Sequence, residues 1–390
     1  MENNAFITKD YFLLLTVGNF NLIKLIKMKN FIVVQLVPIM SMVFLTCPSC
    51  KSNGPSDALK GETDMHKILY YASMAGSSHN SQPWKAEVYP NDSIVVFADT
   101  TRLLDVVDPK GTELFISVGA FIENLDIAAN ALGYKTDITL FETEINSSLP
   151  VASIKLTRTG LPKSLEYLEE LELRTTLRIP FDSVAISIID IEKIVSIAPD
   201  NIIFVPSDSH DGRFISKKEL EAYTIQAYQK EAQDELASWM RFSNKDVNSK
   251  RDGLTPAGMG IKGIGGFVVR NFMKPEDSKK ESFVQTGVEK TQKQVENCGG
   301  WIIISTENDN LSEWVNVGRI YERMNLQCRS LNLGFHPMSQ IIEVQPINQE
   351  VNEKIVPGRK IRFVARIGYV NEYPAPVSKR RPVESFTIFK

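Results

Sequence analysis

The chain has 390 residues, of which 43% are hydrophobic and 23% are charged. Lys and Arg number 44 against 47 Asp and Glu, so the formal net charge is -3. This composition is globular, and it excludes wholesale disorder, collagen and a polytopic membrane protein. The near-neutral balance argues against a nucleic-acid-binding face, and the length allows two fused units or one large domain.

An apolar run at residues 31–46 follows a lysine-rich stretch at residues 24–29 and precedes Cys47 and Cys50. A basic start, an apolar middle and a small-residue region form the layout of a secretion signal. A cysteine directly after such a run also resembles a bacterial lipoprotein signal, in which the sulfur is lipidated and anchors the protein to a membrane. Residues 1–50 are therefore expected to send the chain to a bacterial cell envelope. Lipidation at either cysteine, plain export and a retained anchor all stay open.

Met28, followed by Lys29 and Asn30, opens this signal directly. We therefore expect translation to begin there, in which case residues 1–27 carry no fold. Residues 51–62 are polar and are expected to form a linker to the folded part.

Residues 63–160 are predicted to form a first half of mixed helix and strand. The alternation of apolar and polar residues around Pro90-Asn91-Asp92 indicates a hairpin, and an all-round apolar helix that ends at Gly133 is typical of a core. The predicted elements are a helix at 63–75, strands at 84–89 and 93–98, a helix at 112–132, and strands near 136–142 and 151–157.

Residues 161–390 are predicted to form a second half in which the order helix, strand, long helix, strand recurs. The predicted elements are helices near 163–173 and 190–198, a strand at 201–206, a long helix at 213–240, a helix at 283–297, a strand at 301–305, a helix at 311–331 and a strand at 361–368. The Gly-rich, polar stretch at 244–281 is predicted to be a mobile cover. The fold class is predicted to be α+β, with halves that are alike in architecture.

Several motif-like runs lack the context that their chemistry needs. The GxGxxG run at 258–263 has no strand before it, as a dinucleotide site requires. The triad residue types at 207–211 have no nucleophile elbow, and the scattered histidines favour no metal site. Cys298 and Cys328 are predicted to be buried structural thiols.

Three other segments share an affinity for anions or offer side-chain amides. They are Gly76–Trp84 (GSSHNSQPW), Arg174–Phe181 (RTTLRIPF) and Lys379–Pro382 (KRRP). The cationic side chains suit a phosphate. The amides of Asn80 and Gln82 suit the hydrogen-bonding edge of a planar heterocycle.

At these segments the sequence resembles the FMN-dependent nitroreductase superfamily, and more narrowly its Acg-like branch, in which two nitroreductase-like halves are fused in one chain. Residues 174–178 are similar to the family's Arg-Arg-Ser-x-Arg element. Residues 75–84 are similar to its Ala-Pro-Ser-Ser-x-Asn-x-Gln-Pro-Trp element and depart from it in Gly76.

Two further elements extend the resemblance. Residues 333–340 are similar to the place where family members set a backbone N–H against the flavin N5 atom, and Lys379 with Arg381 resembles the terminal pair that holds the phosphate. The first half keeps only the Ser-Ser-x-Asn loop, while the second half keeps the other elements. The resemblance therefore implies a nitroreductase-like fold with an internal pseudo-dimer and one complete FMN site per chain.

The resemblance also implies a set of FMN contacts. The arginines and Lys379 would neutralise the phosphate, hydroxyl groups would bond phosphate or ribityl oxygens, and amides would face the isoalloxazine ring. The implied contacts are Ser77, Ser78, His79, Asn80, Gln82, Arg174, Thr175, Thr176, Arg178, Pro337, Met338, Ser339, Gln340, Lys379 and Arg381. The chemistry would be that of the flavin, with no catalytic side chain and no metal.

The implied function is an oxidoreductase that moves hydride from NAD(P)H to a small electron acceptor such as a quinone or nitro compound. Two alternatives stay open: a non-enzymatic protein that sequesters FMN under a lid, and an envelope binding protein for another phosphorylated ligand. An internal pseudo-dimer would allow the chain to work as a monomer.

Overall fold

The structure is a computed structural model that describes residues 59–142 and 144–390. The expected export signal, the cysteines that it contains and most of the linker lie outside the described residues. Gly61–Lys390 form one compact unit, and the following description concerns that unit.

The unit contains both helices and strands, which confirms the α+β prediction. The helices are α1 (Asp64–Ala72), α2 (Thr112–Ala131), α3 (Glu166–Leu173), α4 (Ile188–Val195), α5 (His210–Ala227), α6 (Lys230–Trp239), α7 (Asn244–Lys250), α8 (Gly263–Phe272), α9 (Glu281–Glu296), α10 (Leu311–Ser330), α11 (Gln340–Glu343) and α12 (Gln345–Ile355). The strands are β1 (Trp84–Tyr89), β2 (Ser93–Ala98), β3 (Tyr134–Leu140), β4 (Pro150–Arg158), β5 (Ile202–Pro206), β6 (Gly300–Thr306), β7 (Leu333–Pro337), β8 (Lys360–Tyr369) and β9 (Thr387–Phe389).

Polar side chains fix the starts of several helices. Thr63, Ser187, Ser209, Ser243 and Asn310 precede α1, α4, α5, α7 and α10, and each accepts a hydrogen bond from the backbone N–H three residues further on. These bonds satisfy donors that the first turn of a helix leaves unpaired.

The two halves have the same sheet topology. The first sheet has the order β3-β4-β2-β1-β9 and the second the order β5-β6-β8-β7. All neighbours are antiparallel except β9, which runs parallel to β1. Strands β1, β2, β3 and β4 thus correspond to β5, β6, β7 and β8. The last strand of the chain joins the sheet of the first half, so the C-terminal tail crosses from one half to the other.

Helices α2 and α10 are also equivalent, and they pack against each other. Both have 20 residues, and Gly119 and Gly318 are the eighth residue of each. A Cβ atom on Gly119 would clash with the carbonyl of Val315, and one on Gly318 would clash with the carbonyl of Ile116. Because each glycine meets the backbone three residues before the other, the crossing has the reciprocal contacts of a two-fold symmetric dimer. This is the internal pseudo-dimer expected from the resemblance.

Helix α2 owes its all-round apolar character to this position. Among the described residues it is the one helix whose length and composition would suit a membrane span, and most of that span is buried inside the protein. The finding is the one expected for the core helix of a folded domain.

Three sequence predictions are wrong in detail. The long helix expected at 213–240 is two helices, because Gln229 is extended with φ -82° and ψ 119°. No helix was predicted in the stretch at 244–281, but it contains α7, α8 and a 3-10 helix at Pro275–Lys279. Strand β7, helix α12 and strand β9 were not predicted. Cys298 and Cys328 are free and buried, as expected.

Candidate functional site

The loop that follows α1 has an unusual backbone. His79, Asn80 and Gln82 have φ angles of 51°, 53° and 53°, in the left-handed region that non-glycine residues seldom adopt. Ser77 holds the bend, because its Oγ accepts a hydrogen bond of 3.0 Å from the N–H of Gln82. Such strained residues cluster at ligand sites, which makes this loop a candidate.

Gly76 begins the loop where the family element has Pro. A Cβ atom at this position would clash with the hydroxyl group of Tyr321 on α10. The departure from the family element therefore has a local cause, since Tyr321 of the second half closes against the backbone of the first.

The Arg174–Arg178 segment lies beside the loop and is held by backbone contacts. The N–H of Leu177, whose side chain is buried, donates to the carbonyl of Phe335 at 3.0 Å. The side chain of Gln294 on α9 donates to the carbonyl of Arg178 at 2.8 Å. These anchors place Thr176 and Arg178 on the wall of two adjoining cavities.

The cavities lie between the halves. The larger has a volume of about 360 Å³ and the smaller of about 120 Å³. Gly76, Ser77, Thr176, Arg178 and Leu254 line both. Of the expected FMN contacts, the larger cavity is also lined by Ser78, His79, Pro337, Met338, Ser339 and Gln340, and the smaller by Asn80, Arg174 and Thr175.

Four basic side chains on the cavity walls lack acidic partners in the described part of the chain. Those that form no ion pair with any described acid are Arg178, Lys262, Lys290 and Arg380. Burial lowers the pKa of Arg178. Burial, followed by the charge of Arg178, lowers the pKa of Lys290. Uncompensated cations in a cavity favour an anionic ligand.

Burial, together with the same positive field, keeps two histidines neutral. Burial and then the charge of Arg178 lower the pKa of His79 to about 4. Burial, Arg366, Arg178 and Lys290 hold the pKa of His336 well below its ordinary value. Neither imidazole therefore adds a positive charge at neutral pH.

Arg174 is only partly free for a ligand. Its Nε lies 2.9 Å from Oε1 of Glu322 in a buried ion pair, and its Nη2 donates to the carbonyl of Met74 at 3.0 Å. Its buried Nη1 has no hydrogen-bond partner in the described part of the chain. Arg174 thus ties α10 to the first half and keeps one donor for the smaller cavity.

In the C-terminal tail, Arg380 lines the smaller cavity, and neither Lys379 nor Arg381 reaches a cavity. The guanidinium of Arg381 donates to the carbonyls of Gln82 and Trp84 at 2.7 and 3.1 Å. Its backbone N–H donates to Oε1 of Gln82 at 2.8 Å. This bond fixes the orientation of the backbone at Arg381, and therefore the direction in which the side chains of Arg380 and Arg381 point. Arg380 points the other way from Arg381, and its Nη1 donates to Oδ1 of Asn80 at 3.0 Å.

Gln82 also lies outside the cavities. Its side chain is fully buried, and its Nε2 donates to the carbonyl of Arg251 at 2.8 Å. It links the loop to the tail and to the segment after α7, so both groups of its amide bond to other parts of the protein and are not available to a ligand. Its role in the structure is to position the site.

Two carboxyl groups from different halves meet on the wall of the larger cavity. Glu113, at the start of α2, accepts a hydrogen bond from the hydroxyl of Ser78. Glu343, in α11, accepts hydrogen bonds from Ser339 and Gln226. Burial, followed by the neighbouring Glu113 carboxyl, holds the pKa of Glu343 well above its ordinary value. Glu343 therefore favours its protonated form more strongly than an exposed carboxyl group does.

Sequence reasoning did not identify several residues of this site. Arg380 stands inside the KRRP segment, but the sequence does not show which of three successive basic residues faces the ligand. Lys290, Tyr321, Glu113 and Glu343 lie on helices whose meeting depends on the tertiary fold, and no local signal marks them. The described part of the chain contains no cluster of His, Cys, Asp or Glu suited to a metal ion.

The two halves are related by an approximate two-fold symmetry, which relates this site to a second, equivalent position. That position does not repeat the site. The segment between α4 and β5, at 196–201, corresponds to the longer loop at 73–83 between α1 and β1. Glu123 is the twelfth residue of α2, as Glu322 is of α10. Where Glu322 pairs with Arg174, Glu123 binds Arg319 at 2.8 Å. The second position therefore lacks the long loop, and its buried carboxylate is occupied by an arginine of α10.

Comparison with curated proteins supports the nitroreductase resemblance over a short stretch. No family model matches the chain. Over 74 residues, 19% of this chain, it is 34% identical with two Mycobacterium tuberculosis proteins that are provisionally named NAD(P)H nitroreductases, MT3217 and Rv3131. The chain spans about a fifth of the length of these curated relatives (21%). Their names agree with the superfamily and do not address the Acg-like branch.

Solved structures of proteins described as nitroreductases overlap larger parts of the chain. A nitroreductase-like protein of Bacillus cereus has 12% identity and a TM-score of 0.33, and the match covers 59% of this chain and 97% of that one. A nitroreductase with bound FMN from Bacteroides fragilis has 13% identity and a TM-score of 0.32, and the match covers 57% and 98%. Scores and identities of this size do not assign a family, so the function is argued from the site.

Proposed function

We propose that the chain is an FMN-dependent oxidoreductase of nitroreductase type that moves hydride from NAD(P)H to a small acceptor such as a quinone or nitro compound. The observation that carries the proposal is the pair of adjoining cavities between the halves, whose walls carry cations without acidic partners beside a strained, Ser-rich loop. The Mycobacterium tuberculosis relatives named NAD(P)H nitroreductases favour the same chemistry.

The smaller cavity fits a terminal phosphate. It is lined by Arg174, Arg178, Lys262 and Arg380, and guanidinium groups bind phosphate oxygens through paired N–H donors. Nη1 of Arg174 and Nε of Arg380 are buried without a partner among the described residues. A phosphate would satisfy these donors and offset the burial of their charges.

The larger cavity fits a planar ring. Met338, Ile116 and Leu254 supply apolar walls, and Thr176 and Ser77, shared with the smaller cavity, supply hydroxyl groups for the chain between ring and phosphate. FMN, when bound there, supplies the hydride chemistry. Ser339 and Gln340 line the same cavity, at the place where the resemblance implies a contact of their backbone with the ring.

The chain itself provides charge and a proton. Arg178 and Lys290 hold a positive potential on the wall of the larger cavity, which stabilises negative charge that develops on a bound ring or acceptor. Glu343, whose raised pKa favours its protonated form, lies on the same wall beside Glu113 and the hydroxyls of Ser78 and Ser339. A proton at this place is available to an acceptor that gains hydride.

We also propose that the chain is exported to the bacterial envelope and acts as a monomer. The apolar run at 31–46 and the cysteines after it support export. The reciprocal α2–α10 crossing supports the monomer, because both sides of the cavities come from one chain.

The test is anaerobic reduction of the purified protein. We expect a yellow protein whose flavin absorbance bleaches on addition of NADH or NADPH and returns on addition of a quinone. A yellow protein that no nicotinamide bleaches would point to the sequestering alternative. A protein that stays colourless after incubation with FMN would contradict the proposal.

A further inference from the structure

Helix α8 presents a stripe of large apolar side chains to solvent. Ile264, Phe267, Val268 and Phe272 are 85%, 54%, 43% and 73% exposed. Their spacing of three and four residues puts them on one face of the helix. A contiguous exposed face of this kind marks an interaction surface, whereas scattered exposed apolar residues do not.

The opposite face of α8 packs on the cavity wall. Val269 is buried with Met240 and Phe242, and Met259 and Ile261 pack against the same cluster. Met240, Met259 and Ile261 also line the larger cavity. The helix is therefore apolar on both sides, and its outer face is not needed for the fold of the segment.

The charged residues of the segment that carries the outer face, residues 253–275, are all basic. Lys262 and Lys274 flank α8 and are exposed, and Arg270 lies in its last turn. The sequence from 253 to 275 contains no Asp or Glu, and none of these three cations forms an ion pair with a described acid. Positive charge around an apolar stripe complements an anionic lipid surface, where the apolar side chains enter the headgroup boundary and the cations meet lipid phosphates.

Another exposed apolar pair in the protein lacks this character. Ile188 and Ile189 on α4 are 74% and 65% exposed, but Asp190 and Glu192 stand beside them. This face is therefore a matched control, with similar apolar exposure and acidic surroundings.

We propose that α8 docks on the surface of an anionic lipid bilayer, with Ile264, Phe267, Val268 and Phe272 in the headgroup boundary. Because α8 lies against the cluster that lines the larger cavity, docking brings that cavity close to the bilayer. The proposed surface is formed by residues 263–272 and not by the apolar run of the sequence at 31–46, and its lipid contact does not depend on a bound flavin.

The test uses the full chain with Phe272→Trp, and Ile188→Trp as its control, in vesicles of phosphatidylcholine with phosphatidylglycerol. Insertion is read from quenching of the added Trp by lipids brominated on their acyl chains, after subtraction of the wild-type signal. We expect quenching of the Trp at position 272, little at position 188, and a loss of roughly fivefold or more when Arg270 and Lys274, which line neither cavity, are both changed to Gln. The site-specific signal separates this docking from attachment through residues 31–46.

Equal quenching at the two positions, or quenching that survives the double charge change, would overturn the proposal. The proposal also fails if the Trp at position 272 is already shielded before vesicles are added. Shielding that rises with protein concentration would assign the face to a second copy of the chain, and concentration-independent shielding would assign it to residues 31–46. No flavin enters the readout, so a failure of the proposed function leaves this result standing.

Discussion

At the scale of single residues, the site combines arginines with different duties. Arg174 and Glu322 form a buried ion pair between the halves, and loss of one partner leaves the other charge buried and unpaired. Arg178 has no such partner in the described chain, and its Nη1 donates only to the carbonyl of Gly258 at 3.0 Å. Arg174 therefore both stabilises the fold and offers a donor to a ligand, whereas Arg178 is available to a ligand.

Replacement of Arg178 tests this division. We expect Arg178→Ala to weaken FMN binding by about 2 to 4 kcal/mol, because a partly buried, charge-assisted contact is lost. The fold should survive, as judged by circular dichroism. The control is Arg213→Ala, which removes an exposed arginine on α5. Full flavin content in the Arg178 variant would remove this residue from the site.

Glu219 on α5 gives a stability prediction with a defined pH dependence. Its side chain is fully buried, one carboxyl oxygen accepts from the N–H of Ile341 at 3.2 Å, and burial raises its pKa to about 8. Between the unfolded pKa near 4.5 and the folded pKa, the folded state binds the proton and the unfolded state does not. Stability is therefore lost as the pH rises through this range.

We expect Glu219→Gln to raise the free energy of unfolding by about 2 kcal/mol at pH 7.5, because the amide stays neutral in both states and still accepts from Ile341. The gain should vanish below pH 4.5. Urea unfolding across this pH range measures it, with the more exposed Glu221→Gln as control. A gain that does not change with pH would show that Glu219 is ionised in the folded protein.

At the scale of elements, some features were predictable and others were not. The hairpin of β1 and β2 was predicted with its observed bounds, because alternation with period two and the Pro90-Asn91-Asp92 turn are local signals. The break between α5 and α6 carries no Gly or Pro. It allows Gln233 and Leu236 on α6 to line the larger cavity, which is a tertiary requirement that the sequence does not display.

The sequence also does not show which basic residue of the C-terminal tail lines the cavity. KRRP was recognisable as a phosphate-binding type of segment, but its residue in the cavity wall is Arg380, because Gln82 fixes the backbone at Arg381. Lys290, which lines the larger cavity, likewise comes from α9, and the sequence of α9 shows only an ordinary amphipathic helix.

The α2–α10 crossing yields a prediction for the pseudo-dimer. We expect Gly119→Ala to lower the free energy of unfolding by roughly 2 to 4 kcal/mol, because its Cβ atom meets the backbone of the facing helix. Gly318→Ala should do the same, since the contacts are reciprocal. Gly265→Ala is the control, where a Cβ atom meets only an ordinary contact with Ile261 and should gain about 0.5 to 1 kcal/mol. A Gly119 variant as stable as the wild type would contradict the close crossing.

The segment at 244–281 has two parts that differ in their contacts. Residues 253–261 line the cavities, and the carbonyls of Gly258 and Met259 accept from Arg178 and Lys290. Replacing 263–279 with a Gly/Ser linker should therefore leave FMN bound, because residues 253–261 still line the cavities. It should also speed reduction by NAD(P)H, because the part that restricts access is removed. Replacing 244–281 should remove the flavin. Equal flavin content in both variants, measured by absorbance, would show that 253–261 is not part of the pocket.

At the scale of the whole molecule, the two halves share one arrangement of sheets and central helices but differ around the site. The sheets and the central helices keep the same arrangement, which the repeated order of elements indicated. The loop at 73–83, the Arg174–Arg178 segment and the tail converge on one side only. At the equivalent position the loop is short, and Glu123 binds Arg319 and Arg323. One chain therefore has the parts for a single site.

The amount of FMN released per chain is the most direct test of this account. The protein is saturated with FMN, freed of excess by gel filtration and denatured, and the released flavin is identified by chromatography and divided by the protein concentration. We expect FMN rather than FAD at a ratio of about one, because only one phosphate cradle is complete. A ratio near two would contradict the single site, and no retained flavin would contradict the central claim.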